Sequence, residues 1–357
     1  MDVLAEITGI KYSPFLCREL KTYDLDSFHY ALSKDATFIL RLDSSNSISV
    51  SWWVSPKRTR SYPYERVYNS LSFQGKKVTI IPVMKDEGKT GDRDFLQWDT
   101  ISLMSLLGVY TIIAYYCIAD KSQRFATKIT NQIFDVEYVK GQIHNLLSYQ
   151  SDALHWNLSQ IDNIGKIGRK SLDCYSKISS EIGIEMHSEK AAEKRIQELL
   201  KGKEHFMNLS RELAKKAQRR ESVTTQPKEK LSGQKGILTI KNYLGGYYYF
   251  TCDEIYISEK EIYLIECKHS KKGLLPSWND IKDGLLKMIL FTNLKSVKAQ
   301  EKTYKPVAVL KLTSNEIFSL DLLIKSQIEL LKTLNTEANE NNFQVLINNK
   351  NLKEINL

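Results

Sequence analysis

TCDEIYISEKEIYLIECKHS, residues 251–270, is the stretch that decides how this chain is read. β-Branched and aromatic residues fill two arms around the polar tetrad SEKE at 258–261, the pattern of a β-hairpin. A two-residue turn on Glu259 and Lys260 sets Asp253 opposite Glu266, and Cys252 opposite Cys267. Side chains alternate along a strand, so Asp253, Ile255, Ile257, Ile262, Leu264, Glu266 and Lys268 share one face. That face is apolar near the turn and charged at its far end. Opposed residues have Cβ atoms about 5 Å apart, so two carboxylates there repel unless something neutralises them. A divalent cation does this, and hard carboxylate oxygens are the ligands Mg²⁺ prefers.

Upstream, Gly245-Gly246 separates two further strand-like runs, 237–244 and 247–257. Downstream, Ser277 reads as the N-cap of a helix with body DIKDGLLKMILFTNL. Its Ile281, Leu285, Met288 and Ile289 recur at helical spacing and predict one core-facing stripe. Lys305-Pro306 then opens a strand, VAVLKLT. Ser188 caps a long, charge-rich helical pattern over 189–220. From residue 189 the predicted order is therefore helix, three strands, helix, strand.

Asp253 followed by Glu266-Cys267-Lys268 resembles the D…(D/E)-x-K signature of the PD-(D/E)xK phosphodiesterase superfamily, whose best-known members are restriction endonucleases. Cys252 stands where a proline often precedes the first Asp. The predicted element order is the αβββαβ core of that fold. Over residues 236–312, ECKHSKKGLLPSWNDIKDGLLKMILFTNLK included, the chain is similar to type II restriction endonucleases. The resemblance implies an α/β (α+β) protein with a C-terminal restriction-endonuclease-like core built on a central mixed sheet. It implies Mg²⁺, with Mn²⁺ as a substitute, held by Asp253, Glu266 and the Cys267 backbone carbonyl. Lys268 would orient the attacking water and touch the scissile phosphate. Many members of the fold add an acid from the preceding helix, for which Glu198, Glu204 and Glu212 are candidates. The implied activity is a metal-dependent endonuclease making double-strand cuts in double-stranded DNA as a homodimer, with a companion DNA methyltransferase encoded nearby. Alternatives are a repair, transposition or phage-defence nuclease on DNA or RNA, or a non-catalytic nucleic-acid-binding module on an inert nuclease fold. The intact Asp253, Glu266 and Lys268 set argues against inertness.

Length and composition fit this reading. The 357 residues are 42% hydrophobic and 26% charged, enough for two domains of ordinary globular composition. The net charge of +9 is uneven: residues 121–250 hold 22 Lys/Arg against 14 Asp/Glu. Counterion release makes basic segments candidate phosphate binders, Lys215, Lys216, Arg219, Arg220, Lys271 and Lys272 among them. Residues 55–68, SPKRTRSYPYERVY, interleave Lys57, Arg58, Arg60 and Arg66 with tyrosines, a mixture suited to phosphate contact and base stacking as well as to ordinary packing.

The expected organisation is an N-terminal α+β domain over 1–120 with a recognition or sensing role and a helical connection over 121–187. The nuclease core then spans 188–320, and a helix with a tail covers 321–357. Strands are predicted at 37–42, 47–54 and 77–84. Residues 100–119 carry no charge and could span a membrane by length, but their second half is β-branched and aromatic. They read as a buried helix over 100–108 running into a buried strand over 109–118. Asp86, Glu87, Asp92 and Asp94 fall in a glycine-containing segment that reads as a surface loop. Five cysteines without a C-x-x-C pair argue against zinc-ribbon or iron–sulfur chemistry, and Cys252 and Cys267 read as reduced, buried residues. No basic run precedes an apolar run at the N-terminus, so a cytoplasmic location and no membrane partner are expected.

Overall fold

The computed structural model describes residues 1–57, 62–200, 212, 234–243 and 247–355, the side chains of 189 and 198–200 excepted. The chain forms two compact units, one of Met1–Glu19 with Glu212–Leu357, the other of Leu20–Arg211. Both are mixed α/β. Among the described residues no helix is long and apolar enough to cross a membrane.

In the first unit the strands are β1 (Asp2–Ile7), β2 (Gln234–Asn242), β3 (Tyr247–Ile257), β4 (Glu261–Ser270), β5 (Leu294–Ala299), β6 (Lys302–Ser314), β7 (Gln344–Ile347) and β8 (Lys350–Asn351). Helix α1 (Trp278–Phe291) links β4 to β5, and α2 (Lys325–Glu340) links β6 to β7. Strand order is β4-β3-β2-β1-β5-β6-β7-β8, and β4 also pairs with β6. The ladder of six strands thus closes on itself. Closure leaves those strands few free edges for another chain to pair with.

The predicted hairpin register is the observed one: Glu254 opposes Ile265, Ile255 opposes Leu264, Tyr256 opposes Tyr263 and Ile257 opposes Ile262. The ladder stops there. Beyond Glu254 the strands splay, and β4 runs on beside β6 alone, in parallel, from Glu261↔Lys305 to Ser270↔Ser314. Helix α1 begins as expected, with the Ser277 side chain accepting from Asp280 N. It buries Ile281, Leu285, Met288 and Ile289.

Four features depart from the predicted organisation. Residues 2–7 do not belong with an N-terminal domain: β1 alternates exposed and buried residues and lies parallel to β2. A six-residue alternating strand carries no mark of the sheet it joins. The strand β5 is additional. It turns into β6 through Gln300 and Glu301, both at positive φ. Such turns favour Asn-Gly, so Gln-Glu gave no turn signal. The C-terminal stretch is part of the sheet, since β7 pairs in parallel with β6. Finally, the helix Glu189–Leu200 falls in the other unit and packs on the helix Ile164–Ile182.

The second unit has a five-stranded sheet in the order Thr22–Asp24, Thr37–Arg41, Ser47–Trp52, Lys77–Pro82 and Val109–Ala114. Four of these are predicted strands. The uncharged segment is indeed helix Trp98–Leu106 followed by strand, with Gly108 at φ +67 between them. Residues 121–187 are no mere connection, because the helix Ala153–Asp162 closes an edge of this sheet. Trp156 Nε1 donates to Thr111 O at 2.8 Å, and Asn157 Oδ1 accepts from Thr111 N at 2.6 Å. Gln160 Oε1 accepts from Ile113 N at 3.3 Å. Polar side chains of a helix here replace the missing strand neighbour. The acidic loop is a ribbon of Met84–Asp86 with Arg93–Phe95, and its Asp86 is buried.

Candidate active site

The splay between β3 and β4 is held by a side chain. Asp253 Oδ2 accepts a hydrogen bond from Cys267 N at 2.8 Å, standing in for a ladder carbonyl. One residue back along β4, Glu266 is 2% exposed. Both its oxygens are engaged: Lys287 Nζ donates to Oε2 at 2.6 Å, and Lys268 Nζ lies 3.0 Å from Oε1. Lys268 Nζ also donates to Asp283 Oδ2 at 3.4 Å. Lys287 Nζ reaches back to Thr251 O at 3.5 Å, so one ammonium spans the gap between the splayed strands.

Helix α1 approaches this closely because residue 284 is glycine. A Cβ there would stand 2.8 Å from Leu310 Cδ1 and 3.1 Å from Lys268 Cε. Asp283 and Lys287, one helical turn apart, flank that contact and face β4.

Burial alone would push the Glu266 carboxyl up, but Lys287 and then Lys268 outweigh it and hold it below the usual glutamate range. Burial works against the Lys268 ammonium, yet Glu266 and Asp283 raise it above the ordinary lysine value. Burial raises Asp283 in spite of Lys268. The cluster reaches solvent, with side-chain exposures of 17% for Lys268, 20% for Asp283 and 15% for Lys287. On the opposite face, Cys267 packs with Ile265 and Val309, and Lys311 Nζ donates to Glu254 Oε1 at 3.1 Å in a buried ion pair. Cys252 and Cys267 are both free and buried.

Two carboxylates on adjacent strands, Asp253 and Glu266, are the number Mg²⁺ often takes from a protein, with water and phosphate oxygens completing its shell. Two carboxylates suit that ion by donor type, but a cation there would have to displace Lys287 or Lys268 from Glu266, and among the described residues no three acidic, histidine or cysteine side chains form a ready-made cage.

Of the sequence-predicted residues, Asp253, Glu266, Cys267 and Lys268 come together. Glu212 is exposed; Glu204 and the Glu198 side chain lie outside the described residues, as do Arg58, Arg60, Lys215, Lys216, Arg219 and Arg220. Lys57, Lys271 and Lys272 are exposed. Arg66 is committed to packing instead of standing free for phosphate. Its Nη1 donates to Trp52 O at 2.7 Å, and its guanidinium lies 4.4 Å from the Trp52 ring centroid. Tyr64 and Tyr68 beside it are buried in ordinary packing, whereas Tyr62 is exposed. Sequence reasoning missed Asp283 and Lys287. Their signal was present: an acid and a base four apart in the α1 sequence, bordering the stripe of Ile281, Leu285 and Met288.

Comparison with protein-family models, curated proteins and solved structures finds no match for this chain.

Proposed function

We propose that the first unit is a Mg²⁺-dependent phosphodiesterase of PD-(D/E)xK type that cleaves DNA, acting in the cytoplasm. The observation that carries this reading is Glu266, a buried carboxylate clamped by Lys287 and Lys268 beside Asp253, at a strand splay open to solvent. Buried charges need a reason, and perturbed groups gathered at an opening mark functional sites. Three antiparallel strands followed by helix α1 and, beyond the intervening β5, by a strand parallel to the third support the same reading.

Mg²⁺ would lower the pKa of a bound water and screen the nonbridging phosphate oxygens. Asp253 and Glu266 would hold it, assisted by the Cys267 carbonyl. Lys268 carries a proton throughout the physiological range and would contact the scissile phosphate. Lys287 positions Glu266 and offsets its charge. Asp283 holds Lys268 toward Glu266. A restriction-type double-strand cut implies a two-fold pair of these sites, hence a homodimer, and a companion methyltransferase.

The test is incubation of the purified protein with phage or plasmid DNA, with Mg²⁺ or with EDTA, beside Glu266→Ala. Discrete Mg²⁺-dependent fragments, absent for the variant, are expected. A smear would retain the nuclease and remove sequence specificity. No cleavage of DNA or RNA under either condition would overturn the reading.

A further inference from the structure

The second unit holds an open groove of about 850 Å³ between Trp52 and the loop joining the paired strands Tyr116–Lys121 and Ile129–Phe134. Three cations line it from that one loop and its ends: Lys121, Arg124 and Lys128. None of the three is ion-paired among the described residues. The acids of the groove are already occupied. Glu87 takes Lys85 at 3.0 Å, and Asp120 accepts from Asn131 Nδ2 at 3.0 Å. With Lys85 and Glu87 cancelling, and the Asp120 carboxylate set against three cations, the groove keeps a net positive charge.

At the loop tip Phe125 is 57% exposed, with the Lys128 ammonium 5.2 Å from its ring centroid. An exposed aromatic ring among cations can make apolar contact with base edges in a groove, the thymine methyl above all, while the cations take phosphate. The strands beneath are irregular in a way that aims this tip. Asn131 and Gln132 together oppose Ala119, and Asn131 sits at φ +48. Such a bulge twists and bends a ribbon, and bulges concentrate where side chains must be re-aimed. Gln132 locks the bend, its Nε2 donating to Asp86 O at 2.7 Å and its Oε1 accepting from Tyr175 OH at 2.7 Å.

We propose that this ribbon, residues 116–134, is a DNA-binding element of the chain. Lys121, Arg124 and Lys128 take successive backbone phosphates, and Phe125 enters the duplex groove. A two-stranded ribbon has the width that the major groove of B-DNA admits. The choice of duplex DNA as the polymer rests on the nuclease reading above; the cationic, aromatic groove does not. It adds the ribbon to the candidate contacts; within the segment 55–68 Arg66 is spent on Trp52, and Arg58 and Arg60 lie outside the described residues.

The test measures fluorescence anisotropy of a labelled DNA duplex with the full chain in EDTA, across a salt series. Wild type is compared with Lys121→Gln/Arg124→Gln/Lys128→Gln and with Phe125→Ala. The triple variant is expected to bind at least tenfold more weakly, with its log–log salt slope reduced by about 2 to 3. Phe125→Ala is expected to weaken binding with the slope unchanged. All exchanged side chains but Lys128 are exposed, and circular dichroism melting checks that the variants fold. Unchanged affinity and slope in the triple variant overturn the assignment, as does wild-type binding only to single strands or RNA, or to no nucleic acid. Loss of binding in the triple variant, with no cleavage by wild type in Mg²⁺, would keep this surface and sink the nuclease. Cleavage with unchanged triple-variant binding would do the reverse.

Discussion

Lys287 Nζ lies 2.6 Å from Glu266 Oε2 and 3.5 Å from Thr251 O, so a single helix side chain bridges two strands that have parted. The contact neutralises a carboxylate that β4 has carried almost fully out of water. Replacement by Met leaves Glu266 with Lys268 alone and is expected to cost about 1–3 kcal/mol of stability, read from denaturant unfolding. It also removes a positive charge beside the proposed metal ligands. The Mg²⁺ concentration for half-maximal cleavage is therefore expected to fall while the maximal rate drops. A variant needing more Mg²⁺ than wild type would show that Lys287 does not compete with the cation.

Asp253 has two separable jobs, accepting the Cys267 N–H and supplying negative charge. Asn keeps an acceptor oxygen of the same reach. Asp253→Asn is expected to change stability by no more than about 1 kcal/mol, and to lower Mg²⁺-dependent cleavage by more than about a hundredfold through loss of a metal ligand. Collapse of the fold with activity would mean the residue serves the splay alone.

Gly284→Ala sets two effects against each other. Alanine gains about 1 kcal/mol in a helix interior. Its methyl would meet Leu310 Cδ1 at 2.8 Å and Lys268 Cε at 3.1 Å, and overpacking of that kind costs about 1–3 kcal/mol. The fully buried Leu310 must shift to relieve the closer contact, and the flexible Lys268 gives as well. Melting temperature is expected to move by only a few degrees while cleavage falls at least tenfold, because Lys268 no longer sits against Glu266. Wild-type activity in this variant would exclude a role for the Lys268 position.

How far the sequence carried depended on whether a feature is local. The hairpin register follows from alternation and a four-residue polar turn, and Glu254↔Ile265 is the predicted pairing. The stripe of α1 follows from spacing. Splaying does not, because it depends on β6 drawing β4 away over ten parallel pairs, from residues more than forty positions on. Closure of the ladder through β1 was equally hidden. Val3, Ala5 and Ile7 alternate well enough to make a strand, but nothing in them specifies a partner beginning at residue 234. Asp283 and Lys287 were ordinary helix-surface residues until β4 supplied Glu266 and Lys268.

The buried pair of Glu254 and Lys311, 3.1 Å apart with both side chains about 5% exposed, lies across the sheet from the proposed active site. Breaking such a pair on one side strands the other charge and costs about 3–5 kcal/mol, whereas apolar replacement of both is often neutral. Lys311→Met alone is expected to destabilise by that amount, and Glu254→Leu/Lys311→Met to recover most of it. A double variant no better than the single would mean that the pair's further polar contacts matter more than its charge.

Alkaline pH isolates one tertiary contact in the same unit. Glu337 is fully buried and accepts from Tyr12 OH at 2.7 Å, Phe15 N at 2.9 Å and Leu16 N at 3.0 Å, fastening the stretch after β1 to α2. Burial first, and the Glu337 charge second, raise the Tyr12 phenol well above its ordinary value near 10.0. Below that value Tyr12 is protonated both folded and unfolded, and its contribution is fully present. Above it the unfolded chain loses the proton while the folded one keeps it, so stability is lost as pH climbs toward the folded value. Tyr12→Phe removes this group and keeps both backbone bonds to Glu337. The variant is expected to be less stable than wild type at pH 8, with the gap narrowing from pH 10 upward by at most about 1.4 kcal/mol per pH unit. Urea unfolding at pH 8, 10 and 11 measures it, and a gap independent of pH would show that the phenol ionises alike in both states.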